Sequence, residues 1–293
     1  SIHTYPTVET LADGTFIVGW MMWTGGTNFF ELQARRFAAD GAPFATPGAP
    51  NGEISFTNLT PTDERFPSIS AHPDGGFVVT WSKPDTGQLG TREVYVQRYD
   101  TSSVAIAPAE KVSQSGDFSQ IARVAVRDDG SFMVVWESST TDYSESDVRG
   151  RVYDANGQPV GSEFVLSNTV VDSQTKPNVA VLDNGDYIVT WSTFLQNGVA
   201  GGVDVYMRRF TATGEPLSDE VMVNPVAAGA QGYSTVQALS DGGFVISWAA
   251  STSLTNDGVP NGTEAMFARR FTADGEPAGA IVRVDTGPDG SKW

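Results

Sequence analysis

The 293 residues include no cysteine, which removes disulfides, thiolate nucleophiles and cysteine-based zinc sites in one step. Histidine is almost as scarce, with only His3 and His72, so a histidine-rich metal centre is excluded as well. Basic residues number 18 against 35 acidic ones, a formal charge of −17. A field of that sign repels nucleic acid and anionic membranes, so no nucleic-acid partner is expected. No apolar run reaches the roughly 20 residues of a membrane span, and no membrane insertion is expected. Helical periodicity is missing throughout. The chain opens on Ser1 rather than Met and without a signal peptide, from which we expect a processed product or an excised piece.

What the chain does contain is repetition. Five segments read turn, aromatic, aliphatic pair, small residue, tryptophan: DGTFIVGW, DGGFVVTW, DGSFMVVW, NGDYIVTW and DGGFVISW, ending at Trp20, Trp81, Trp136, Trp191 and Trp248. Successive tryptophans lie 61, 55, 55 and 57 residues apart. Ahead of each stands a short alternating run (from Thr7, Ser68, Arg123, Asn178 and Thr235), three of them preceded by Pro6, Pro67 or Pro177. Asp-Gly or Asn-Gly (Asp13-Gly14, Asp74-Gly75, Asp129-Gly130, Asn184-Gly185, Asp241-Gly242) then supplies the positive φ of a hairpin turn between strands A and B. Strand C follows a variable loop and ends on Phe37, Tyr99, Tyr153, Phe210 or Phe271. A second turn leads to a short strand D around Phe56, Val112, Val165, Met222 and Val282.

Four short meandering strands per repeat describe a propeller blade. The expected fold class is all-β: a five-bladed β-propeller of four-stranded antiparallel blades, with a linear array of small β modules as the alternative. The expected organisation is one propeller over residues 1–293, with blades at about 1–58, 59–113, 114–168, 169–224 and 225–293. Because the chain starts at strand A and ends at strand D, no blade is shared between the termini: the ring closes by packing alone, Ser1–Thr4 adds a stray strand, or the five copies are part of a longer set.

The consensus P-x-V-x-x-L-x-D-G-G-F-V-V-T-W followed by D-V-Y-x-R-R-F-x-A-x-G-x-P resembles repeats of large bacterial type I-secreted adhesins and haemolysin-type calcium-binding proteins. The resemblance implies an extracellular or cell-surface module of a larger multidomain chain, often calcium-dependent as a whole. The calcium motif G-G-x-G-x-D of that family is absent, so calcium ligands do not carry over residue by residue, and the metal ligands stay unknown.

Equivalent placement in every repeat points to structure. The arginines of strand C (Arg35, Arg36, Arg98, Arg151, Arg208, Arg209, Arg269, Arg270) are expected to pair with acids on neighbouring strands or blades, and the five tryptophans to lie buried between blades. Function belongs where the repeats disagree, on the B–C and D–A connections. There Trp23, Phe118 and Tyr143 could stack on sugar faces, and Asp63, Glu64 and Asp142 could take hydroxyls or a cation. On this reading the chain is a secreted, non-catalytic module that binds carbohydrate or another surface ligand. The alternatives are a passive display domain and a polysaccharide-active glycoside hydrolase. The last needs two facing carboxylates; Glu9 is the only one within the A-strand runs, with Glu64 or Asp117 as its partner. An enzyme is therefore not the favoured reading.

Overall fold

The structure is a computed structural model, and it describes residues 2–23, 30–56, 63–85, 91–114, 118–139, 145–168, 173–194, 202–224, 230–251 and 264–285. None of these residues is helical. The fold class is the expected one: all-β, built as five four-stranded antiparallel blades of the β-propeller type. Two compact units divide the chain, Ser1–Tyr143 with Gly150–Phe164, and Ser144–Arg149 with Val165–Trp293.

The first unit holds two whole blades and most of a third. Blade 1 consists of β1 (Ile2–Thr10), β2 (Phe16–Trp23), β3 (Phe30–Phe37) and β4 (Glu53–Ser55). Blade 2 consists of β5 (Arg65–Ala71), β6 (Phe77–Pro84), β7 (Arg92–Tyr99) and β8 (Glu110–Lys111). Blade 3 runs β9 (Phe118–Val126), β10 (Phe132–Ser139), β11 (Ser146–Tyr153) and β12 (Pro159–Val165). The second unit holds blade 4, β13 (Gln174–Val181), β14 (Tyr187–Phe194), β15 (Val203–Phe210) and β16 (Val221–Met222). It also holds blade 5, β17 (Ala230–Ala238), β18 (Phe244–Ser251), β19 (Glu264–Phe271) and β20 (Val282–Arg283). A single parallel bridge, Val203 to Ala230, joins those two blades into one sheet.

The tryptophan strand is the packed centre of each blade. Trp136, Trp191 and Trp248 are fully buried and Trp81 nearly so, Trp136 among Val78, Val134 and Tyr153 and Trp248 among Ile188, Ile246 and Phe271; Trp20, expected to be buried with them, is only half-buried. Burying one such ring removes about 200 Å² from water, roughly 5 kcal/mol gross. The first residue of strand B stacks on the last of strand C in blade after blade: Phe16 on Phe37, Phe77 on Tyr99, Phe132 on Tyr153 and Phe244 on Phe271, at 4.8–5.2 Å. This cross-strand pairing fixes the register of both strands.

The A–B turns refine the sequence reading. Only the glycine takes positive φ (Gly14, Gly75, Gly130, Gly185, Gly242); the Asp or Asn before it does not. The acidic residue acts instead through its side chain, which accepts from the amide two positions on, as Asp13 from Thr15 at 3.0 Å and Asp129 from Ser131 at 2.9 Å. Such a turn is a type I bend closed by a left-handed glycine.

The A strands start earlier than the alternating runs do. Ile2–Thr4 is not a stray piece: it pairs with Met21–Trp23 as the first half of β1. Each A strand breaks register once in mid-course. Pro6, Pro67 and Pro177 therefore mark an interior β-bulge rather than a strand's first residue, a place where a missing N–H is equally harmless.

Candidate functional site

The bulge places one side chain per blade in an unusual backbone state. Tyr5, Phe66, Ile121, Lys176 and Tyr233 have φ of 53°, 58°, 52°, 54° and 55°. Each lies fifteen residues before its blade's tryptophan. Left-handed backbone is rare for aromatic and β-branched residues, and such strain gathers where a fold presents chemistry. These bulged residues lie on the A strands, towards the D–A end.

In the first unit this end carries an aromatic pair and a charged clamp. Tyr5, about half exposed, meets Phe66 edge-to-face at 4.9 Å between ring centres. Phe66 N–H donates to Met21 Sδ at 3.2 Å, which ties the bulge of blade 2 to the tryptophan strand of blade 1. Immediately upstream Asp63, itself at φ 55°, is buried. Its Oδ2 receives Arg92 Nη1 at 2.8 Å and Arg65 Nη2 at 3.0 Å, and its Oδ1 receives Arg65 Nε at 3.1 Å and Phe30 N–H at 3.2 Å. Arg92 also donates to the carbonyls of Asp63 and Ser82, at 2.6 and 3.1 Å. The Arg65 guanidinium lies over the Phe30 ring at 5.2 Å. A carboxylate held by two guanidinium groups and an amide is fixed in place, so Asp63 is suited to electrostatic and orienting work.

Asymmetry among the repeats marks this end as well. Eighteen residues before the tryptophans the blades carry Ile2, Asp63, Phe118, Ser173 and Ala230, so one blade alone has a charge there. One residue after the tryptophans they carry Met21, Ser82, Glu137, Ser192 and Ala249, again a single carboxylate. Glu137 is buried on β10 with Gln120 Nε2 at 3.4 Å from its Oε1. The sequence reading missed Glu137 because it sits inside a strand; aligning the repeats on tryptophan would have exposed it.

The residues expected from sequence separate into groups. Trp23 ends β2, half-buried, and pairs in register with Phe30. Phe30 bonds Asp63 through its N–H and accepts Glu64 N–H at 2.9 Å, so Trp23, Asp63 and Glu64 come together around one residue. Glu64 is buried. Phe118 opens β9, half-buried, opposite Ser139. Asp142 and Tyr143 lie outside the described residues, as does Asp117. Among the described residues no three His, Asp or Glu side chains group closely enough to hold a metal ion.

The weighed pairing of Glu9 with Glu64 does not hold. Glu9 Oε1 accepts Ala71 N–H at 3.1 Å, at the last residue of β5, whereas Glu64 precedes its first. Seven residues of strand separate the two places, on the order of 20 Å, against the 5–10 Å that flanks one glycosidic bond. Burial pushes the Glu9 carboxyl above its ordinary pKa, partly offset by the Ala71 amide. His72 is likewise structural: buried, with Nδ1 2.8 Å from Asp74 Oδ1 and Nε2 3.2 Å from the Gly130 carbonyl.

No family model and no curated protein matches the chain. Solved structures do. A protein of unknown function from Dyadobacter fermentans aligns with TM-score 0.64 at 12% identity, over 98% of this chain and 85% of that one. The α-L-arabinanase of Penicillium chrysogenum, complexed with arabinobiose, gives 0.57 at 13% identity, over 96% and 80%. An α-L-arabinofuranosidase from Lactobacillus brevis gives 0.53 at 12%, over 99% and 96%. The likeness is one of fold.

That likeness corrects three expectations. The resemblance to calcium-binding secreted adhesins fails: no family model supports it, and the structures that match the chain nearly end to end include an α-L-arabinanase and an α-L-arabinofuranosidase. The consensus that carried the resemblance consists of the stacked aromatics, the buried tryptophan and the turn acids, which are blade-packing residues and report architecture rather than lineage. The reading as a non-catalytic binding module and the preference against an enzyme are corrected by the same likeness, since the neighbours include an arabinofuranosidase, two arabinanases and a family-43 glycoside hydrolase.

Proposed function

We propose that the chain is a polysaccharide-active enzyme, which works at the bulged, D–A end of its A strands. The observation that carries this reading is the convergence of Tyr5, Phe66 and Asp63: an exposed aromatic edge beside a carboxylate fixed by two arginines. Aromatic faces stack on the apolar faces of sugars, and fixed carboxylates stabilise the positive charge that develops as a glycosidic bond breaks. Support comes from the full-length likeness to an arabinanase and an arabinofuranosidase. A polysaccharide substrate and the strong acidity of the chain favour an extracellular place of action.

Acid–base work needs a second carboxylate that can carry a proton. Glu137, buried and without counterpart in the other blades, is the residue we assign to it. The test is to incubate the purified chain with arabinan, galactan and other plant and algal polysaccharides, and to measure new reducing ends and unsaturated products. Release from at least one polymer, cut about 100-fold or more by Glu137→Gln with the fold intact, is the expected result. No product from any polymer at high protein load would overturn the proposal.

A further inference from the structure

The bulge positions of the second unit hold a different chemistry. Blade 4 places Lys176 there and blade 5 places Tyr233, both in left-handed backbone. Lys176 Nζ stands 3.7 Å from the centre of the Tyr233 ring, a close cation–π contact. Tyr233 is nearly half exposed. The pair borders a shallow surface depression, lined also by Thr175, Ser192, Phe194 and Gln231, with Gly232 at its base. A Cβ on Gly232 would come within 3.1 Å of Ser192 Oγ, so glycine keeps the floor low.

The ammonium is the asymmetric feature. Of the five bulge positions three carry an aromatic ring, one isoleucine, and only this one a charge. In a chain of net charge −17 a cation beside an exposed ring selects for one kind of sugar. The ring offers an apolar face to a sugar and the ammonium a counter-charge. Neutral sugars offer the ammonium no counter-charge.

We infer that Lys176 and Tyr233 form a subsite for an anionic sugar residue, one bearing carboxylate or sulfate. This inference deepens the polysaccharide reading above and rests on it for the class of ligand. The Tyr233 ring positions the sugar, and Lys176, held against that ring, receives the anion.

The test is calorimetric binding of three oligosaccharides to the intact chain: oligogalacturonate, a sulfated galactan oligomer and neutral arabino-oligosaccharide. Binding of at least one anionic oligomer is expected to exceed that of the neutral one and to weaken as salt rises. Lys176→Met should lower anionic affinity about tenfold or more and leave neutral binding unchanged, while Lys176→Arg should restore most of it. Lys111→Met removes one charge from outer strand β8 and should change nothing, and thermal unfolding confirms that each variant folds. Whichever anionic oligomer responds identifies the anion. The inference is overturned if Lys176→Met binds the anionic oligomers as the parent does, or if the parent prefers the neutral one or binds none. Cleavage of neutral arabinan without anionic preference would sink the subsite and spare the enzyme. Anionic binding lost in Lys176→Met, with no product from any polymer, would do the reverse.

Discussion

Arg36 donates from Nη2 to Asp13 Oδ2 at 2.7 Å, joining the end of strand C to the A–B turn of the same blade. The same join recurs as Arg98 with Asp74, Arg209 with Asp186, and Arg270 with Asp241. In blade 3 the arginine position is Val152, and Asp129 turns to Arg127 instead. Arg36 alone among these is fully buried. Its other nitrogens reach Thr15 Oγ1 at 2.9 Å and, on the next blade, the Thr101 carbonyl at 2.7 Å.

Arg36→Met should therefore cost about 1–3 kcal/mol, since it leaves the Thr101 carbonyl and the Thr15 hydroxyl without the buried guanidinium that now donates to them. Arg270→Met, half exposed beside Asp241, should cost less than about 1 kcal/mol. Denaturant unfolding of the two variants side by side checks the contrast; equal losses would show that the buried position confers nothing extra.

Glu9 gives a pH signature of defined sign. Its carboxyl is raised in the folded chain by burial, so the native state holds the proton to higher pH than the unfolded chain does. The Glu9 contribution is then fully present below the unfolded pKa of about 4.3 and is lost as pH rises through the folded value. Glu9→Gln keeps an acceptor for the Ala71 amide, and it should flatten that decline and match or exceed the parent at neutral pH. Unfolding free energies measured from pH 4 to 8 decide it; a variant less stable than the parent throughout would contradict the assignment.

Asp129 acts in the opposite direction. The Ser131 hydroxyl and amide, with Arg127, hold its carboxyl below the usual range. Its contribution is present above about pH 4 and disappears as pH falls through the folded value. Asp129→Asn should lower stability somewhat at neutral pH and shrink the loss of stability between about pH 4 and 2. Acid titration followed by tryptophan fluorescence tests this.

Gly76 and Thr15 show how equivalent turns tolerate different residues. Thr15 fills this position in blade 1 and binds Arg36, but a Cβ on Gly76 would sit 2.0 Å from the Tyr99 carbonyl oxygen. Gly76→Ser is expected to destabilise by about 2 kcal/mol or more, although the repeat alignment alone would rate it harmless. A melting temperature within about a degree of the parent's would refute the close approach.

The frame was readable because it repeats. Trp136 and its equivalents, the aromatic stacks and the arginine–acid joins recur at fixed spacing, and each recurrence reinforces one physical cause. The arginines were expected to pair with acids, and those of the buried positions do so. The site was legible only in part. Asp63 and Glu64 were singled out by their setting in a variable connection, yet nothing local told that Asp63 would be seized by Arg92, twenty-nine residues on. The bulge was hidden because register slips leave no mark in an alternating pattern, apart from the prolines that follow three of the five. Glu137 was overlooked because strand interiors were read as scaffold.

The bulges have a consequence for how such a chain diversifies. A residue thrown out of the ladder is excused from matching a cross-strand neighbour, so its identity is free to drift while the blade around it stays whole. Tyrosine, phenylalanine, isoleucine and lysine already occupy that socket in copies of what is recognisably one blade. Duplication followed by single-codon changes there alters what the chain recognises without renegotiating its architecture.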